Sequence, residues 1–105
     1  MIADEAVFAA LAEPRRRAIL RLVRDEPRSV NDIAAQFEIS QQAVSQHLHV
    51  LKDAGLLDVR RDGARRLYAV RPEGFVAVER FMAEFWPAGL QRLKHVVETS
   101  ERHGR

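Results

Sequence analysis

The sequence predicts a mainly α-helical domain carrying one small β-hairpin, with about five helices and two strands in a single unit. Three observations predict it. Apolar residues recur at spacings of three and four through most of the chain. The period drops to two only over residues 57–70, around an Asp62-Gly63 pair suited to a tight hairpin turn. Proline, serine and glycine stand where helices should start and stop.

Composition narrows the class. At 105 residues and 47% hydrophobic content, the chain suits one core and is small for an enzyme cleft. No apolar run approaches a membrane span, and the opening residues MIADEAVF are acidic where a secretory signal is basic, so a cytoplasmic protein without a membrane partner is expected. The absence of cysteine excludes disulfides, thiolate metal sites and thiol switching. The net charge of +2 is unevenly spread: Arg60, Arg61, Arg65, Arg66 and Arg71 face a single acid, Asp62, over residues 60–71. A local basic patch suits a phosphate backbone.

In chain order, Asp4 and Glu5 open a short first helix over residues 4–12, with Val7, Phe8 and Leu11 at helical spacing. Glu13-Pro14 breaks it, and Pro14 starts a second helix to Asp25 whose apolar stripe is Ala18, Ile19, Leu22 and Val23. Most of its surrounding arginines are expected in solvent. Pro27 ends it. Ser29 caps a third helix, Val30 to Phe37, with Asp32 in its first turn and Val30, Ile33, Ala34 and Phe37 turned inward.

Only about three residues separate this helix from the next, the spacing of a helix-turn-helix. The fourth helix has its own signals: Ser40 at the N-cap, Gly55 for a left-handed exit, and roughly 21 Å of length between them. Val44, Leu48 and Leu51 fall on one side, and Gln42, Ser45, Gln46, His49 and Asp53 on the other. His47 falls beside Val44 and Leu48 and is read as a packing residue. A solvated face usually mixes Lys, Glu and Arg; amides, a hydroxyl and an imidazole are instead the groups that read base edges. A merely polar exterior is the other reading of this helix alone.

After Gly55, Leu57, Val59, Tyr68 and Val70 form the apolar face of a hairpin, and Arg60, Arg61, Arg65 and Arg66 stand near its tip. Such arginines can protect a sheet edge; beside a groove-sized helix they can also set its register on phosphates. Arg71-Pro72 opens a last helix over residues 72–100, interrupted at Pro87, ahead of a tail at 101–105. Phe75, Val78, Phe81, Met82, Phe85, Trp86, Leu90, Leu93, Val96 and Val97 give it more apolar surface than the other elements can cover. With the first helix it suggests a two-fold dimer interface through Val7, Phe8, Leu11, Phe81, Phe85, Trp86, Leu90, Leu93 and Val97.

The segments ALAEPRRRAIL (Ala10 to Leu20), ISQQAVSQHLHVLKDAGLL (Ile39 to Leu57) and RRDGARRLYAV (Arg60 to Val70) together resemble the ArsR/SmtB-type winged helix-turn-helix regulators of bacteria over about residues 6–72. The resemblance implies a homodimeric DNA-binding transcriptional regulator, usually a repressor, acting on double-stranded operator DNA. The recognition helix would be Ser40 to Ala54 and the wing residues 57–71. By position, Gln42, Ser45, Gln46 and His49 would contact bases. Ser40, Gln41, Lys52 and the wing arginines Arg60, Arg61, Arg65 and Arg66 would contact phosphates.

The cysteine motif of metal-sensing members is missing: Ser29-Val30-Asn31-Asp32-Ile33 stands in its place. Of a second family metal site only His95-x-x-Glu98 has a likeness, and half a site binds poorly. No metal or other cofactor is expected; an inducer of unidentified kind is left open. The competing function is a winged-helix module that docks protein through its aromatic last helix. Catalysis is disfavoured, since no phosphate loop, HExxH motif or oriented nucleophile is present.

Overall fold

The computed structural model of the protein describes residues 2–85. Among them run five α-helices, a two-stranded sheet and one 3₁₀ turn: α1 (Ile2–Leu11), α2 (Pro14–Asp25), α3 (Val30–Phe37), α4 (Gln41–Asp53), β1 (Leu57–Asp62), β2 (Arg65–Val70), the turn Pro72–Phe75, and α5 (Val76–Phe85). These are the helices and the hairpin that the helical and alternating periods anticipate, in the winged helix-turn-helix arrangement that the resemblance implies. The expected course beyond Phe85, with Trp86, the break at Pro87, Leu90, Leu93, His95, Val97 and Glu98, lies outside the described residues.

Local chemistry accounts for most boundaries. Glu13 caps α2, its Oε1 accepting from the Arg15 amide at 2.6 Å, while Pro14 fills the first helical position. Ser29 and Asp32 form a reciprocal capping box on α3. The helix-turn-helix bend is made by Glu38, which takes a left-handed conformation (φ 55°) and donates its amide to the Ala34 carbonyl. On α4 the Ser40 hydroxyl accepts from the Ala43 amide at 3.0 Å. At the other end Gly55 (φ 82°) donates to Lys52 and Leu56 to Leu51, the paired bonds of a Schellman ending, with Leu51 and Leu56 both fully buried beside it.

The core runs through every helix and the root of the sheet: Val7, Ala10, Ile19, Leu20, Val23, Ile33, Ala34, Val44, Leu48, Leu51, Leu56, Leu57 and Ala77. Val44, Leu48 and Leu51, the apolar side read for α4, are all at or below 1% exposure. Among the described residues the buried core residues are all hydrophobic, so the polar side of α4 is held out by hydrocarbon packing behind it.

The start of the last helix differs from the expectation, and three further contacts were not anticipated. Pro72 opens a 3₁₀ turn rather than the last helix, closed by the Gly74 amide on the Arg71 carbonyl at 3.0 Å; α5 begins only at Val76. A Cβ built on Gly74 would stand 2.0 Å from the Gly55 carbonyl oxygen, so only glycine lets this turn seat against the end of α4. Arg16 and Arg17 are not idle in solvent: Arg16 donates to the Ala10 and Ala9 carbonyls, and Arg17 to Leu11 and Ala12, which satisfies the open C-terminal end of α1. Finally, Arg28 exchanges two backbone hydrogen bonds with Tyr68 (3.0 and 2.8 Å), tying the link between α2 and α3 to the free edge of β2.

Candidate nucleic-acid interface

The helix-turn-helix bend enters α4 at Ser40, and the wing leaves its other end after Gly55. Because α4 is pinned by its aliphatic side, the opposite side stands free: Gln41, Gln42, Ser45, Gln46, His49 and Lys52 are all exposed. Among the described residues no hydrogen bond ties the side chains of Gln42, Ser45 or Gln46 to the protein. Their donors and acceptors are therefore available to a ligand, held on a rigid helix. Ser40 is already the cap of α4, yet a hydroxyl that accepts one bond keeps its own proton to donate.

His49 has a partner the sequence reading passed over. Its Nε2 lies 3.0 Å from Oδ2 of Asp53, one turn further along, with both side chains mostly exposed. This contact occupies Nε2 and leaves Nδ1 outside it. His47, on the next turn face, is half-buried instead. Burial, and then the nearby positive charge of Arg16, holds its pKa below the ordinary 6.5, with Glu13 opposing and Arg15 adding to the shift. This is the packing position that the wheel assigns it.

The wing is set by its register: Leu57 opposes Val70, Val59 opposes Tyr68, Arg60 opposes Leu67, Arg61 opposes Arg66 and Asp62 opposes Arg65. Since alternate residues point to opposite faces, Arg61 and Arg66 share one face, and Arg60 and Arg65 the other. All four are exposed. Two guanidiniums directly opposite one another repel, which a stability-driven hairpin has no reason to keep and an anion between them would relieve.

Arg65 turns toward α3, where its Nη2 meets Oδ2 of Asp32 at 3.1 Å. Beside this contact lies a cleft of about 320 Å³ lined by Ser29, Val30, Asn31, Ala64, Arg65 and Arg66, where the first turn of α3 and the wing tip converge. Ser29, Asn31 and Asp32 were not assigned to the site from sequence; the capping signal at Ser29 is what points to a helix start there.

On the far side, α1 and α5 pack together through a chain of aromatic rings. Phe8 meets Phe81 edge-on at 5.3 Å between centroids, and Phe81 meets Phe85 at 5.0 Å. Phe81 is still 46% and Phe85 63% exposed. Leu11 is half-buried, whereas Val7, expected at a dimer interface, is 4% exposed and spent in the protomer's own core. Among the described residues no group of three or more His, Asp or Glu side chains gathers as metal ligands would, and no helix is long and apolar enough to cross a membrane.

Comparison with known proteins converges on one kind of molecule. A helix-turn-helix domain family matches residues 11–60. The chain is 35% identical over 95 residues to the HTH-type transcriptional regulator Rv2034 of Mycobacterium tuberculosis, covering 90% of this chain and 89% of that protein. A crystal structure of an ArsR family transcriptional regulator superimposes with a TM-score of 0.70 at 33% identity, over 81% of this chain and 91% of the other. The homodimeric winged helix-turn-helix DNA-binding domain of Mb0332 from Mycobacterium bovis, a possible ArsR-family regulator, is similar at a TM-score of 0.66 and 28% identity, over 98% of this chain and 84% of that one.

Proposed function

The chain belongs to the ArsR/SmtB family of winged helix-turn-helix transcriptional regulators, and from that premise we propose that it is a homodimeric repressor that reads an inverted repeat in operator DNA. The observation that carries this reading is the unencumbered polar side of α4, anchored from behind by Val44, Leu48 and Leu51. Gln42, Ser45, Gln46 and His49 contact base edges in the major groove, an amide being able to bond adenine at two atoms at once. Ser40, Gln41, Lys52, Arg60, Arg61, Arg65 and Arg66 hold the phosphates and set the register. Two copies meet through α1 and α5, where Phe81 and Phe85 leave aromatic surface exposed. Their recognition helices then lie about 34 Å apart on one face of the duplex. A second copy uses this aromatic surface, so no separate protein partner is invoked.

The test is a footprint on the DNA upstream of the protein's own gene, followed by transcription from that template. Two protected half-sites about one helical turn apart, and transcription that falls with added protein, are expected. A single half-site, or transcription that rises, contradicts the proposal.

A further inference from the structure

We propose that the groove between α2 and the exit of the wing is a binding site for a small amphipathic carboxylate, an aliphatic or aromatic acid, and that its occupancy is felt at the recognition helix. The groove holds about 370 Å³ and is lined by Leu20, Arg21, Arg24, Val70, Pro72 and Phe75, a volume within the range of small-molecule sites. Its floor is hydrocarbon. Leu20 is 7% exposed, and Val70 and Phe75 are half-buried partly buried flanks of the core. Arg21 and Arg24 stand three residues apart on one side of α2, where long stems lie along apolar surface while the charged heads stay in water.

The charge pattern selects the ligand. Arg24 has Asp25 at 3.3 Å, a contact between two largely exposed side chains, and Arg21 has no acidic partner among the described residues. Among the described residues no acid lines the groove. A cation is repelled there. An uncharged apolar molecule gains only the floor, and a bare inorganic anion gains only the rim. A molecule with a hydrocarbon body and one carboxylate uses both, its two oxygens matching the fork of a guanidinium.

The second observation connects this groove to α4. Pro72 and Phe75 bound the 3₁₀ turn whose Gly74 is seated against Gly55 so closely that a Cβ would lie 2.0 Å from the carbonyl oxygen and 2.8 Å from the carbonyl carbon. Next to it the Arg71 amide donates to the Leu56 carbonyl at 2.9 Å. A body wedged against Phe75 and Pro72 therefore has no slack to take up before it bears on the residue that ends α4. The groove belongs to a single protomer and stands whether or not the DNA reading does.

The experiment is a titration of the full chain, without DNA, followed by amide and methyl chemical shifts. Octanoate and benzoate are the probes; octanol, octylamine and inorganic phosphate are the controls. Octanoate is expected to saturate with shifts at Leu20, Val70 and Phe75 and a further shift at the Gly55 amide. Octanol, and octanoate on the Arg21→Ala/Arg24→Ala double variant, are expected to bind about tenfold more weakly or worse, the scale of a lost charge-assisted contact. Both arginines are surface residues, and a retained far-ultraviolet spectrum confirms that the variant is folded. Absence of saturation by either acid, equal binding of octanol, octylamine or phosphate, or an unaffected double variant overturns the site. Saturation without movement at Gly55 overturns the coupling.

Discussion

Nη2 of Arg65 lies 3.1 Å from Oδ2 of Asp32, joining the tip of the wing to the first turn of α3. The same Asp32 completes the capping box with Ser29, so one carboxylate both starts a helix and aims a guanidinium. Both side chains are about half exposed, so water screens the pair and it orients more than it locks. A phosphate approaching Arg65 meets Asp32 as a repulsive neighbour. Asp32→Asn should therefore tighten binding to every DNA sequence by about two- to fivefold at low salt, a gain within the range of exposed charge pairs. Fluorescence anisotropy on specific and random duplexes checks this, and unchanged affinity on both refutes it.

The facing pair Arg61 and Arg66 makes a second, opposite-signed prediction. If about three of the five cations Lys52, Arg60, Arg61, Arg65 and Arg66, Arg61 among them, neutralise phosphates in each protomer, the logarithm of affinity should fall with that of salt at a slope near −5, roughly a thousandfold between 50 and 200 mM. Arg61→Ala removes one contact per protomer, so the slope of the dimer should flatten by about 2. The same change relieves repulsion across the hairpin and should stabilise the free protein by a few tenths of a kcal/mol. A variant that loses stability while keeping its salt slope contradicts the role given to this arginine.

His47 gives the protein a pH dependence with a defined sign. Burial and Arg16 lower its pKa in the folded state, so the unfolded chain binds the proton more readily. Stability from this group is fully present above the unfolded value of about 6.5 and is lost as pH falls from there through the lower folded value. Denaturant midpoints at pH 7.5 and 5.5 should differ, and His47→Gln should shrink the difference. An unshrunken difference assigns the effect to another group.

Glu38 holds a left-handed conformation at the bend between α3 and α4. A side chain there costs about 1 to 2 kcal/mol relative to the right-handed region, a cost glycine does not bear, although glycine gives back part of it through the freer unfolded chain. Glu38→Gly should raise stability by up to about 1 kcal/mol and leave DNA affinity alone. A loss of stability would mean the Glu38 side chain makes a contact that outweighs its backbone.

What could be read from residues alone was whatever is decided within one turn of helix. The ranges Pro14–Asp25 and Val30–Phe37 match the expected ones because Pro14, Pro27 and Ser29 act on their immediate neighbours. The two sides of α4 were legible for the same reason, its period being strict. The first helix, expected over 4–12, spans Ile2–Leu11, and its weak apolar stripe did not reveal that Val7 turns into the protomer. The pairing of Arg28 with Tyr68 joins single residues far apart in the chain and leaves no periodic trace. Likewise, an arginine on the outer side of α2 reads as solvated, although its arm reaches the open carbonyls of α1. The split of the wing arginines between two faces was available from the alternation of strand residues once the turn at Asp62-Gly63 fixed the register.

Gln46→Ala tests most directly whether α4 reads bases, because the Gln46 side chain is exposed and makes no hydrogen bond among the described residues. Affinities of the parent and the variant are to be measured on the footprinted operator, on operators changed one base pair at a time, and on random duplex, all at one salt concentration. The variant should lose about 1 to 3 kcal/mol on the operator, become indifferent at one or two base pairs, and bind random DNA as the parent does. Equal losses on operator and random DNA would leave Gln46 a backbone contact and remove the basis for sequence reading by this helix.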